Sequence, residues 1–184
     1  LPELMRQPGF AGLQHYWMTP WFDRVRFGRW DEIAAEANPA PDLPYVTAIW
    51  HYAQAMAALR QQRPEDAAKH YAALSTLAAD PVMETLTVWD RYPLSHAVHI
   101  AERTLSSELA LAAKNHDAAI TALRAAVEEA NSAGLRVCAH ATTDEAIRRC
   151  VDAGVATIEH GYGGTDETFA LMKAQDSMSF VALV

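Results

Sequence analysis

Glycine is missing from the middle of this chain, with none between Gly28 and Gly134, and proline is missing from its second half, the last being Pro93. A century of alanine-rich sequence without glycine favours one helix after another, because alanine is the best helix former and glycine among the worst. Cysteine is also scarce. The two present, Cys138 and Cys150, provide no disulfide framework. No apolar run approaches the roughly 18–20 residues of a membrane-spanning helix. The N-terminal LPELMRQPGF lacks a charged stretch leading into an apolar core, so no secretory leader is expected there. Positive charge is in deficit, with 15 Lys and Arg against 23 Asp and Glu, a net charge of −8 and a pI near 5.4. That balance excludes a nucleic-acid or anionic-membrane surface as the expected partner, and a cytoplasmic setting is the default.

What is present changes character near residues 125–135. All five tryptophans (17, 21, 30, 50 and 89) lie before that seam, and five of the eight glycines (134, 154, 161, 163 and 164) lie in or after it. Frequent glycine among β-branched residues favours strands and tight connections. The expected fold is mostly α, with a helical domain over 1–130 and a short β/α segment over 131–184.

In the first part, Thr19-Pro20 opens a short helix with Thr19 as cap, Gly28 ends it, and Trp30–Ala37 forms another. Asn38-Pro39-Ala40-Pro41-Asp42 reads as a linker. Val46, Ile49, Ala53 and Met56 then repeat at helical spacing and predict one apolar face. Pro64 starts the next helix, with Ala67, Tyr71, Leu74 and Ala78 on one stripe, and Asp80-Pro81 stops it. A second pair is expected over residues 94–113 and 118–130. RPEDAAKHYAAL at 63–74 and NHDAAITALRAA at 115–126 share a polar turn, an acidic residue and a double alanine. Each then has a large residue four on from an alanine, Ala67 to Tyr71 and Ala119 to Leu123. This pattern resembles the tetratricopeptide repeat family, although the first-helix signature glycine is absent and the copies stand about 52 residues apart instead of roughly 34. The resemblance implies a helical stack whose groove binds a protein or peptide. His96 and His99 sit three apart on a helix, but no H-E-x-x-H accompanies them, and satisfied or solvated side chains are the expectation.

In the second part, Gly134 stops a helix, LRVCAHA at 135–141 predicts a strand, and Cys138 and His140 share one of its faces. Thr142-Thr143-Asp144-Glu145 reads as a capping box with Thr142 as cap. The following helix ends at Gly154, VATIEH at 155–160 is the next strand, and Thr165-Asp166-Glu167 opens another helix. SMSFVALV at 177–184 predicts a third strand. Tyr162-Gly163-Gly164 lacks the lysine and spacing of a phosphate loop and reads as a strand-to-helix connection.

The run GLRVCAHATTDEAIRRCVDAGVATIEHGYGGTDETFALM resembles the amidohydrolase superfamily, its imidazolonepropionase-type and dipeptidase-type members above all. It matches the region of the fifth and sixth strands of a (β/α)8 barrel. The resemblance implies that His140 and His160 bind a divalent metal, zinc by expectation, which activates a water against an amide or similar carbon. No catalytic residue is assigned. Cys138, two residues deeper than His140, is expected to pack. The family's H-x-H is absent from the chain, its bridging carboxylate or lysine and its last-strand aspartate have no counterpart, and a barrel needs roughly 200–250 residues. Two functions follow as expectations. The first is a protein-interaction scaffold joined to an incomplete amidohydrolase-like segment, and it is favoured because it requires no missing residue. The second is a metal-dependent hydrolase completed by another chain or a missing part. Exposed edges on a three-stranded sheet further predict self-association. Recombination, engineering or misassembly of the sequence could each produce the join, and a tryptic peptide Ala125–Arg136 would show that both parts are one molecule.

Overall fold

The computed structural model describes residues 2–7, 9–38, 40–175 and 179–181. Pro39 of the expected linker, and residues 177–178 and 182–184 of the expected third strand, lie outside the described residues. The fold is mostly α, and the chain divides within one long helix into two compact units, Leu1–Ala119 and Ile120–Val184.

The first unit opens with four short helices, α1 (Pro2–Met5), α2 (Leu13–Trp17), α3 (Thr19–Arg26) and α4 (Trp30–Ala35). Thr19 is helical and caps nothing: Met18 is the junction between α2 and α3, and its side chain makes no cap hydrogen bond. Two long helices follow, α5 (Pro44–Arg60) and α6 (Pro64–Ala78), each with proline in its first turn. The single apolar face expected for α5 is corrected by the packing. Tyr45, Val46, Ala48, Ile49, Ala53, Ala55, Met56, Ala57 and Ala58 are all buried, so the helix is enclosed on most of its circumference. An apolar surface that runs around a helix marks it as central, and α2, α3, α4 and α6 all pack on it. Buried Gln54 donates to the Ile33 and Glu36 carbonyls at 2.6 and 3.0 Å, and Trp50 donates to the Glu36 carbonyl at 3.0 Å. These bonds satisfy the open C-terminal end of α4.

The segment after α6 contains elements that the sequence pattern does not announce: α7 (Val82–Thr85) and a small antiparallel hairpin of β1 (Thr87–Val88) and β2 (Tyr92–Pro93). The hairpin turns through Trp89 and Asp90, both at positive φ. α8 (Leu94–Ala112) then packs against both α5 and α6. The α5–α6 connection puts Gln62 at φ +59°, with the Arg63 amide donating back to the Ala58 carbonyl at 2.8 Å. The connection from α8 into α9 (His116–Ser132) repeats this arrangement. Lys114 lies at φ +59°, and the Asn115 amide donates to the Ala110 carbonyl at 2.8 Å.

In the second unit α9 ends at a left-handed Gly134. A parallel sheet follows in the order β3 (Cys138–Thr143), β4 (Thr157–Gly163) and β5 (Ser179–Val181), with α10 (Asp144–Ala153) and α11 (Asp166–Ala174) as the connections. The cap of α10 is Thr143, not Thr142, its hydroxyl accepting from the Ala146 amide. Left-handed Gly154 ends α10, and Thr165 caps α11 by accepting from the Thr168 amide. Val127, Ala141, Ile147, Val151, Val155, Ile158 and Met172 form this unit's core, distinct from the core of the helical unit.

Candidate metal centre

β3 and β4 are short parallel strands in which residues opposite one another share a face of the sheet. His140 lies opposite Glu159, and Ala141 lies opposite His160. The Ala141 and Ile158 side chains point into the core, at 3 % and 0 % exposure, and Cys138 and His140 point out on the other face. Alternation alone therefore assigns His140 and His160 to opposite faces. The backbone breaks the alternation: His160 has φ +74° and Gly161 φ +61°. Between the Ala141–His160 and Thr143–Gly163 pairs, β4 carries one more residue than β3. The consequence is that His160 turns toward its neighbour. Its Nε2 lies 2.9 Å from His140 Nδ1, with the ring centroids 5.0 Å apart.

The other nitrogen of His160 is also engaged. Nδ1 lies 3.1 Å from the Tyr162 hydroxyl. A proton on Nδ1 donated to the Tyr162 oxygen leaves the Nε2 lone pair directed at His140. Metal-binding histidines commonly use such a partner to fix tautomer and ring orientation. Tyr162 is 69 % exposed, so the pair faces solvent and has room for a ligand.

The glycines after it have steric explanations. A Cβ on Gly163 would lie 2.5 Å from the Thr142 carbonyl oxygen, and one on Gly164 would lie 2.6 Å from the Phe169 ring. These residues let β4 and the start of α11 pass close to β3 and α10, as a strand-to-helix connection requires. Below them, Asp144 locks the start of α10 to the start of α11. One of its oxygens accepts from the Thr165 amide and hydroxyl, each at 3.0 Å, and from the Thr168 hydroxyl. The other accepts from Arg148 Nε at 2.7 Å. These hydrogen bonds, Thr168 first and Arg148 next, hold the Asp144 carboxyl well below the usual carboxylate range.

The remaining sequence expectations divide. Cys138 shares the His140 face but is exposed, so it does not pack as expected, because that face of β3 is open to solvent. His99 Nε2 donates to the Ala78 carbonyl at 3.1 Å, the satisfied role expected for a helix-surface histidine. A closer histidine contact, His51 Nδ1 to His70 Nδ1 at 2.8 Å between α5 and α6, was not foreseen. Its only sequence signal was two histidines on consecutive helices of one hairpin. Among the described residues, no group of three or more His, Cys, Asp and Glu side chains converges on a metal position. Neither histidine pair has a third such ligand among them.

No protein-family model matches the chain, and no solved structure matches it. It is similar to proteins of Mycobacterium bovis and Mycobacterium tuberculosis that are described as uncharacterized. Each is 46 % identical over 50 residues, which is 27 % of this chain and 14 % of the relative. The match thus spans about one seventh of the length of the curated relatives. Since 50 residues make 14 % of each, those relatives are about 360 residues long.

Proposed function

We propose that His140 and His160 are two ligands of a divalent metal in a hydrolase of amide or related C–N bonds, completed by strands and ligands that another chain or a longer form of the protein supplies. The observation that carries this reading is the convergence of His140 Nδ1 and His160 Nε2 to 2.9 Å across adjacent parallel strands, against the alternation of the sheet. At metal–nitrogen distances of about 2.0–2.1 Å that separation subtends about 90° at the ion. A tetrahedral pair would need about 3.4 Å, so the donors fit a five- or six-coordinate ion, a geometry hydrolytic zinc can reach. Tyr162 would hold the His160 tautomer that presents Nε2. A bound ion would supply Lewis acidity and a water activated near neutral pH. The chain's own contribution is to orient the two imidazoles at a solvent-facing sheet end. The length of the relatives, about 360 residues, leaves room for the roughly 200–250 residues of a complete barrel.

Metal analysis after dialysis against zinc tests the reading. It is supported by one equivalent that is lost with His140→Ala and with His160→Ala, together with hydrolysis of an amide substrate once the missing part is supplied. Metal content unchanged in both variants overturns it.

A second reading concerns the helical unit. Its α5–α6 hairpin with α8 packed on both, and the identical left-handed turns at Gln62 and Lys114, support the tetratricopeptide resemblance and a protein- or peptide-binding role. The inserted α7 and β1–β2 segment accounts for much of the wide repeat spacing. Peptides selected against the whole chain should bind equally well to the His140→Ala, His160→Ala double variant, and loss of binding there would count against it. A cytoplasmic setting, with both cysteines free, and self-association through the outer strands β3 and β5 belong to this proposal. No helix among the described residues is long and apolar enough to cross a membrane.

A further inference from the structure

We propose that His51 and His70 form a separate binding site for a divalent late transition-metal ion of the Cu2+ or Ni2+ class on the α5–α6 hairpin. The site is independent of the His140–His160 pair and of the hydrolase reading. His51 comes from the middle of α5 and His70 from the middle of α6, so two rigid helices fix their spacing. Both residues are largely buried and their Nδ1 atoms lie 2.8 Å apart, with ring centroids separated by 5.1 Å and planes inclined at 51°. Trp50 closes one side. Its ring meets both imidazoles edge-on, with centroids 4.9 Å from His51 and 5.3 Å from His70.

Two imidazoles so placed can share a single proton or give both lone pairs to an ion. The distance sets the angle at a bound ion. With metal–nitrogen bonds of about 2.0–2.1 Å, a 2.8 Å separation gives an angle of about 85–90°. An angle near 90° suits the square-planar and tetragonal preference of Cu2+ and Ni2+, and the affinity order for nitrogen sites places Cu2+ above zinc. Burial favours the neutral, ligating form of both rings. Asp66 lies one turn before His70 on α6. It pairs with Arg63 and Lys69, whose charges oppose its own near His70, and so does not compete as a ligand. His51 and His70 both keep partial solvent exposure, so water would complete the coordination sphere.

The experiment uses the full chain carrying His140→Ala and His160→Ala, so that the other pair cannot contribute. Cu2+ titration should then show one equivalent bound, quenching of tryptophan fluorescence that Trp50→Phe reduces, and an electron paramagnetic resonance spectrum with two equatorial nitrogens. Adding His51→Gln or His70→Gln should weaken Cu2+ binding by about tenfold or more, and Zn2+ should bind less tightly than Cu2+. Glutamine retains much of the imidazole volume, and far-UV circular dichroism confirms that the helices persist. Absence of a stoichiometric site, a spectrum without two nitrogens, or an affinity unchanged by both substitutions overturns the proposal.

Discussion

His160 reaches His140 only because its backbone sits in the left-handed region, at φ +74°, where the two rings come within 2.9 Å of one another. A side chain with a Cβ is disfavoured there, so the strand carries strain to place one ring. His160→Ala keeps the strain and loses the ring, and His160→Gly loses both. The glycine variant should therefore be the more stable of the two by about 1 kcal/mol in urea unfolding. Equal midpoints would show that the left-handed conformation is not retained.

The next strained contact lies three residues on. A Cβ at Gly163 would meet backbone, not a flexible side chain, 2.5 Å from the Thr142 oxygen and 3.2 Å from Thr143 Cα. Gly163→Ala should destabilise the second unit by about 1–3 kcal/mol as an overpacking change. Gly154 gives the contrast. It has φ +75° but nothing within 4 Å of an added Cβ, so Gly154→Ala should cost about 1 kcal/mol, from backbone conformation alone. Unfolding midpoints of the two variants, measured side by side, check the ranking.

Local signals made much of this legible. Proline in the first turns of α5 and α6, and glycine at the ends of α3, α9 and α10, mark boundaries because their backbone requirements are intrinsic. The β1–β2 hairpin escaped because Trp89 and Asp90 fill left-handed positions where glycine or asparagine would have announced a turn. The cap of α10 fell one residue later than expected because Thr142 and Thr143 offer the same chemistry. Tertiary bonds from Asp144 to Thr165 and Thr168 favour the register that makes Asp144 the first helical residue. Both His140 and His160 could be named from sequence, and the resemblance implied that they share an ion, but strand periodicity alone would have separated them by face. The His51–His70 contact needed the pairing of α5 with α6, which no single-helix periodicity encodes.

Asp144 makes the second unit's stability depend on acid. Its folded carboxyl lies well below the unfolded value of about 3.9, so the folded state binds its proton less readily. The sign follows from linkage: the stabilisation is fully present above about pH 4 and is lost as pH falls below that toward the folded value. Unfolding midpoints should hold steady from pH 7 to about pH 4.5 and then decline. Asp144→Asn should lower the midpoint at neutral pH and flatten the decline. A decline as steep in the variant as in the parent would assign the acid response to other groups.

The helical unit should respond in a higher range. Burial first, and the neighbouring His70 second, push His51 down to about 4 from an ordinary 6.5, and burial also lowers His70 and His15. The unfolded chain therefore binds more protons than the folded one between about pH 6.5 and pH 4. Stability of this unit should be fully present above pH 6.5 and fall as pH drops through that window. Asp66 acts against the change at His70, with Arg63 and Lys69 opposing Asp66. His51→Gln should remove part of the slope between pH 7 and pH 5 in urea titrations followed by tryptophan fluorescence. All five tryptophans lie in this unit, so the signal belongs to it. A slope unchanged by the substitution would show that the pair is not the source.

That optical separation also allows the two cores to be weighed independently. Leu74 is fully buried in the helical core and Ile158 fully buried in the sheet core, and the two clusters share no residue. Leu74→Ala and Ile158→Ala each remove a buried aliphatic side chain and should each cost about 2–5 kcal/mol in the unit concerned. Tryptophan fluorescence should report the loss from Leu74→Ala directly, whereas Ile158→Ala should appear chiefly in hydrogen exchange of β3 and β4. If each core folds on its own, the Ile158→Ala protein keeps the parental fluorescence midpoint. A fluorescence midpoint that falls as far for Ile158→Ala as for Leu74→Ala would mean that the units unfold as one cooperative body, with the helical part depending on the β/α segment for its stability.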